Sequence, residues 1–139
     1  MKRADWKARL AAWMAARRGT PFRWGWCDCA LVCVEALDAM RGSDLAVTYY
    51  GRYRTAGEAL RFQRRTASLV DVLQAAGCAV AADRPEDGDI VTVPRRGFLC
   101  GHIVFSGCYV LSADLKHGVT VGRLADALAM PGARVWRAA

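Results

Sequence analysis

A chain of 139 residues that is 54% apolar can bury one hydrophobic core without disulfide or metal staples, so a single domain over residues 1–139 is expected. The opening Met1-Lys2-Arg3-Ala4-Asp5-Trp6 lacks an apolar run and a small-residue cleavage site, and no window has the apolar length of a membrane span. A chain made in the cytoplasm, with no signal peptide and no membrane insertion, is therefore expected.

The first predicted element is an amphipathic helix, in which Trp6, Leu10, Trp13 and Met14 recur at helical spacing until Gly19 and Pro21 end the pattern. Thr20 to Cys27, rich in aromatics, predicts an ordered loop that packs inward. A second helix is predicted from Asp28, as N-cap, through Leu31, Val32, Val34, Leu37 and Met40 to Arg41-Gly42, and its continuous apolarity implies burial on most sides. Thr55 with Glu58 predicts a capped helix carrying Leu60 and Phe62, and Ser68 with Asp71 predicts another that Gly77 closes. The period then changes. Asp89–Val93, His102–Phe105, Tyr109–Leu111, Gly118–Val121 and Ala133–Trp136 predict strands, with a short helix around Leu124 to Leu128. Helices followed by an antiparallel sheet define an α+β fold class, with N-terminal helices packed on a C-terminal sheet.

Cys27, Cys29, Cys33, Cys78, Cys100 and Cys108 form no Cys-x-x-Cys pair, and both histidines lie far from the first three in sequence. Free thiols are expected, with no metal and no other cofactor. Cys27, Cys78, Cys100 and Cys108 are expected to pack, as are Trp6, Trp13 and Trp136. The net charge of +7 favours polyanionic partners. The arginines are dispersed, however, as Arg17-Arg18, Arg52/Arg54, Arg61/Arg64/Arg65 and Arg95-Arg96, without interleaved aromatics, so solvated faces are favoured over nucleic-acid binding.

Cys29 is the candidate nucleophile. One residue after a predicted N-cap, it would meet unpaired N–H groups and the positive end of a helix dipole, which lower a thiol pKa and can hold an oxyanion. His102, after Gly101 and at a predicted strand start, is the candidate base. An antiparallel return through Ser106-Gly107-Cys108 would bring Leu111 to Ala113 opposite His102, making Ser112 the polar group that orients the imidazole, with Asp114 or His117 available only in another register. Trp24 and Trp26 are candidates to line a substrate groove.

The segment Phe22-Arg23-Trp24-Gly25-Trp26-Cys27-Asp28-Cys29-Ala30-Leu31-Val32 resembles the nucleophile segment of NlpC-type cell-wall peptidases, in which an aromatic-Gly loop leads to Asp-Cys. Glu86-Asp87-Gly88-Asp89-Ile90-Val91 is similar to that family's Pro-Gly-Asp strand approach, and Gly101-His102-Ile103-Val104-Phe105 to its Gly-His strand. The resemblance implies a papain-like fold and a Cys29-His102 dyad, with Trp24, Trp26 and Asp28 toward substrate. More narrowly, Trp24-Gly25-x-x-Asp28-Cys29, Gly51-Arg52-Tyr53 and Arg134-Val135-Trp136-Arg137 resemble a small phage and prophage tail-module family placed beside those peptidases.

Two functions are therefore expected in competition. As a tail-associated cysteine hydrolase, the favoured expectation, Cys29 would attack a stem-peptide amide of peptidoglycan and His102 would protonate the leaving amine. As an inactive tail assembly or tail-tip protein, the same fold would bind other tail proteins. Ala30-Leu31 in place of the peptidases' Ser-Gly, and Phe22 where they often carry tyrosine, favour the second.

Overall fold

The computed structural model describes all of residues 1–139. Two helices come first: α1 (Trp6–Arg17) and α2 (Leu31–Arg41), the latter ended by Gly42 at a left-handed φ of 71°. A 3-10 turn (Leu45–Thr48), absent from the sequence expectations, leads to α3 (Ala56–Arg65) and α4 (Leu69–Ala75). The strands are β1 (Ala79–Val80), β2 (Ile90–Arg95), β3 (Phe98–Phe105), β4 (Tyr109–Asp114), β5 (Gly118–Arg123) and β6 (Arg134–Arg137), with α5 (Leu124–Leu128) before the last. The fold is α+β, as expected. All the strand pairs are antiparallel, in the order β1-β6-β2-β3-β4-β5.

Local chemistry sets most boundaries. Ser68 and Asp71 form a complete capping box at α4. At α3, Thr55 accepts from the Glu58 N–H, but the Glu58 carboxylate reaches back to Arg54 N at 3.0 Å, one residue earlier than a capping box requires. Arg96 and Gly97, at φ 50° and 85°, turn β2 into β3 as a two-residue hairpin.

The expected start of α2 is corrected. The helix begins at Leu31, not beside Asp28, because Asp28-Cys29-Ala30 forms a turn whose N–H groups the Asp28 carboxylate gathers. His102 is likewise the fifth residue of β3 and not a strand start, because the β2 ladder extends back to Arg95↔Phe98.

Strand alternation divides the core. Ile90, Ile103, Leu111 and Trp136 face α2, whose Val32, Cys33, Ala36, Leu37 and Met40 are completely enclosed. Each such aliphatic side chain contributes about 1.5–3 kcal/mol by leaving water. Val91, Val93, Val104 and Val110 face the other way, under Leu124 and Ala127 of α5. Gly101 lies where α2 and α4 approach β3: a Cβ there would overlap Cys33 Sγ and come within 2.8 Å of Leu69 Cδ2. Of the tryptophans expected in the core, Trp136 is buried, while Trp6 and Trp13 are half-buried against it.

Candidate functional site

Cys29 sits where the turn before α2 meets the edge of β3. Pairing with β4 stops at Ile103↔Leu111, and the free edge before it is filled by this turn: Gly101 N donates to Cys29 O at 3.2 Å. The thiol is 7% exposed and lies 3.8 Å from the Leu99 carbonyl. A hydrogen bond with Cys100 and burial push its pKa well above the usual thiol value, and the Asp28 carboxylate adds to the rise. The expected lowering is therefore corrected. Ala30 N (3.1 Å) and Leu31 N (2.9 Å) donate to Asp28 Oδ1, so these N–H groups are already occupied.

Asp28 is itself 1% exposed, and its Oδ2 accepts from Gly25 N (3.0 Å) and the Tyr53 hydroxyl (2.7 Å). Its expected place beside substrate is corrected to that of a buried clasp joining the aromatic loop, α2 and Tyr53. Burial and that carboxylate hold the Tyr53 phenol protonated.

His102 shares a sheet face with Cys100 and Val91, by the alternation of β3 and the pair Val91↔His102. The residue that meets the Cys29 thiol is Cys100, and no hydrogen bond joins His102 to Cys29. The imidazole Nδ1 lies 3.3 Å from the Val91 carbonyl. Ser112 does not orient it. The β3–β4 ladder ends one pair short of a His102–Ser112 partnership, and Ser112 pairs with Thr120 of β5. Asp114 and His117 bond to each other at the β4–β5 turn, at 3.3 Å.

Burial depresses the His102 pKa below 6.5, with Arg95 adding to the effect and the Val91 bond opposing it. The native state thus resists a proton that the unfolded chain accepts. Stability should be unaffected by this group above about pH 6.5 and should fall as pH drops below it. Denaturant titrations between about pH 7 and 5 should show a shallower acid decline for His102→Gln than for the native chain; equal declines would contradict it.

The two expected substrate tryptophans are separated. Trp24 packs between Phe22 (4.8 Å between ring centres) and Phe98 (5.2 Å), over the cavity beside Cys29. That cavity holds about 50 Å³, and Trp24, Tyr53, Phe62 and Phe98 line it. Pockets that take small ligands are several times larger, about 300 Å³ upward. Trp26, 40% exposed, instead stacks on Tyr50 at 5.6 Å beside a groove of about 990 Å³ between α1, α2 and the aromatic loop. The side of that groove carries Glu35, which accepts from Trp13 Nε1 (3.1 Å), Arg17 Nε (2.7 Å) and the Tyr50 hydroxyl.

Cys27 and Cys78 pack as expected. Cys108 is exposed at the β3–β4 turn, and Cys100 is half-buried as the partner of Cys29, so neither is the core packing residue expected. No helix is long and apolar enough to cross a membrane.

Fold and site together define an α+β domain with a protonated thiol buried between the start of its central helix and the edge of an antiparallel sheet. Residues 1–133 match the model of a domain of unknown function, DUF6950, and the chain belongs to that family. No curated protein matches the chain.

Proposed function

We propose that this chain is a non-catalytic, NlpC-like domain that acts as an assembly component of a phage or prophage tail. The observation that carries the loss of catalysis is the setting of Cys29: its buried thiol faces Cys100 and the Leu99 carbonyl, beside a cavity of only about 50 Å³. A nucleophile needs a thiolate, a base within reach and room for an attacked carbonyl. The papain-like relationship is supported by the order of the three motifs and by a cysteine in the turn just before a helix that packs on an antiparallel sheet. The tail context rests on the sequence resemblance.

One observation favours the hydrolase reading: His102 lies on the same sheet face as Cys100, two residues along β3. Hydrolysis would require Cys29 to leave Cys100, His102 to leave Val91 and Trp24 to swing off the cavity. Purified diaminopimelate-type peptidoglycan incubated with the native chain is expected to release no stem peptides by mass spectrometry. In a host that makes the particle, deletion of the chain should abolish intact tails, and Cys29→Ala or His102→Gln should restore them as well as the native sequence does. Peptide release that Cys29→Ala abolishes, or failure of the Cys29→Ala chain to restore tails while it folds, would return the assignment to a hydrolase.

A further inference from the structure

Arginines that are dispersed along the sequence are gathered by the fold. Gln63 on α3 clamps the β2–β3 hairpin, its Nε2 donating to Gly97 O at 2.9 Å and its Oε1 accepting from Leu99 N at 3.1 Å. The clamp holds the hairpin, which carries Arg95 and Arg96, against α3, whose Arg61, Arg64 and Arg65 share one face by their spacing. Arg52 lies over the Phe62 ring at 5.2 Å, and Arg54 precedes the α3 cap. All seven are exposed, and none takes part in an ion pair. On α3 and the hairpin the only acid is Glu58, whose carboxylate is occupied by Arg54 N.

We propose that α3 and the β2–β3 hairpin form a binding surface for the phosphate backbone of a nucleic acid. Unpaired guanidinium groups at this density repel one another in the free protein, and a polyanion relieves that repulsion. Arginine, not lysine, supplies the charge, and its planar fork binds phosphate oxygens in pairs. An acidic protein partner fits less well. Protein interfaces centre on desolvated apolar anchors, whereas Leu60, Phe62 and Phe98 are half-buried beneath the charged rim. Phosphate contacts carry no sequence information, so binding is sequence-independent.

The test is fluorescence anisotropy of the full chain with a short labelled duplex of random sequence. Binding should be measurable at about 50 mM salt and weaken by about 10²–10³-fold by about 200 mM, as several phosphate contacts require. Arg61→Gln/Arg64→Gln/Arg65→Gln should flatten the log–log salt slope by about one unit per arginine, with Lys7→Gln/Arg123→Gln, exposed elsewhere, leaving it unchanged. All of these side chains are exposed, and melting curves will show that each variant folds. Absence of binding at about 50 mM salt, or an unchanged slope in the triple variant, overturns the proposal. So does displacement of the labelled duplex by polyglutamate at a lower charge concentration than by unlabelled duplex, which assigns the surface to an acidic protein.

Discussion

Gly25→Ala is expected to lower stability by about 3 kcal/mol or more, seen as a fall of roughly 10 °C in melting temperature. Two independent costs meet at this residue. Its φ is +79°, a conformation that disfavours any side chain by about 1 kcal/mol. A Cβ there would also overlap the Tyr53 carbonyl oxygen, which is backbone and cannot rotate away. Relief would pull Tyr53 from Asp28 and Gly51 N from Gly25 O, a bond of 2.9 Å. Gly57 is the control: exposed on α3 with nothing near a prospective Cβ, its alanine variant should be neutral or more stable by about 0.5 kcal/mol. Equal melting temperatures for the Gly25 and Gly57 variants would contradict the close approach of the aromatic loop to Tyr53.

Asp28→Ala is expected to cost about 3–5 kcal/mol by denaturant unfolding. The carboxylate accepts four hydrogen bonds, from Gly25 N, Ala30 N, Leu31 N and the Tyr53 hydroxyl, at a site 1% exposed. Truncation leaves those donors without partners where water does not reach, and each orphan costs about 1–3 kcal/mol before relaxation. Asp28→Ala/Tyr53→Phe should be less destabilised than the sum of the single variants, since the second change removes a stranded hydroxyl. Strict additivity would show that the two side chains are not coupled. A loss below about 1 kcal/mol for Asp28→Ala would contradict the clasp and return Asp28 to a surface role.

These two residues belong to the segment that most strongly suggested a nucleophile, and they explain how the sequence was misleading there. Asp-Cys before an apolar helical run has the pattern of an N-cap followed by a reactive thiol. What decides the chemistry is which N–H groups the aspartate occupies and what fills the edge of β3, and both depend on residues far away in sequence, Tyr53 and Leu99-Cys100 among them. Gly101-His102 shows the same limit. The dipeptide is visible, yet the face taken by each side chain follows from the ladder to β2, in which Gly101 admits Cys33 and α4 while His102 turns to Val91. The hairpin register that singles out Ser112 needs one pair more than the β3–β4 ladder contains.

Local signals are more fully legible. The Ser68-Asp71 box, the Gly42 and Gly77 stops and the five residues of α5 are where the sequence puts them, because each depends on neighbours within one or two turns. β1, two residues long, and the 3-10 turn at Leu45–Thr48 left no periodic trace. β1 exists because Ala79 and Val80 pair with β6, and Asp38 holds the 3-10 turn through Leu45 N and Ala46 N. The arginine surface is hidden for the same reason, since contacts distant in sequence, the Gln63 clamp among them, bring the hairpin to α3.

The central claim is that Cys29 is an inert, protonated thiol, and its alkylation rate in the native state tests this most directly. Iodoacetamide labelling near pH 7.5, mapped by peptide mass spectrometry, should modify exposed Cys108 first and leave Cys29 and the enclosed Cys33 unmodified until denaturant unfolds the chain. Labelling of Cys29 in the folded protein faster than Cys108, at a rate that His102→Gln reduces, would contradict the account and restore a working Cys29-His102 dyad.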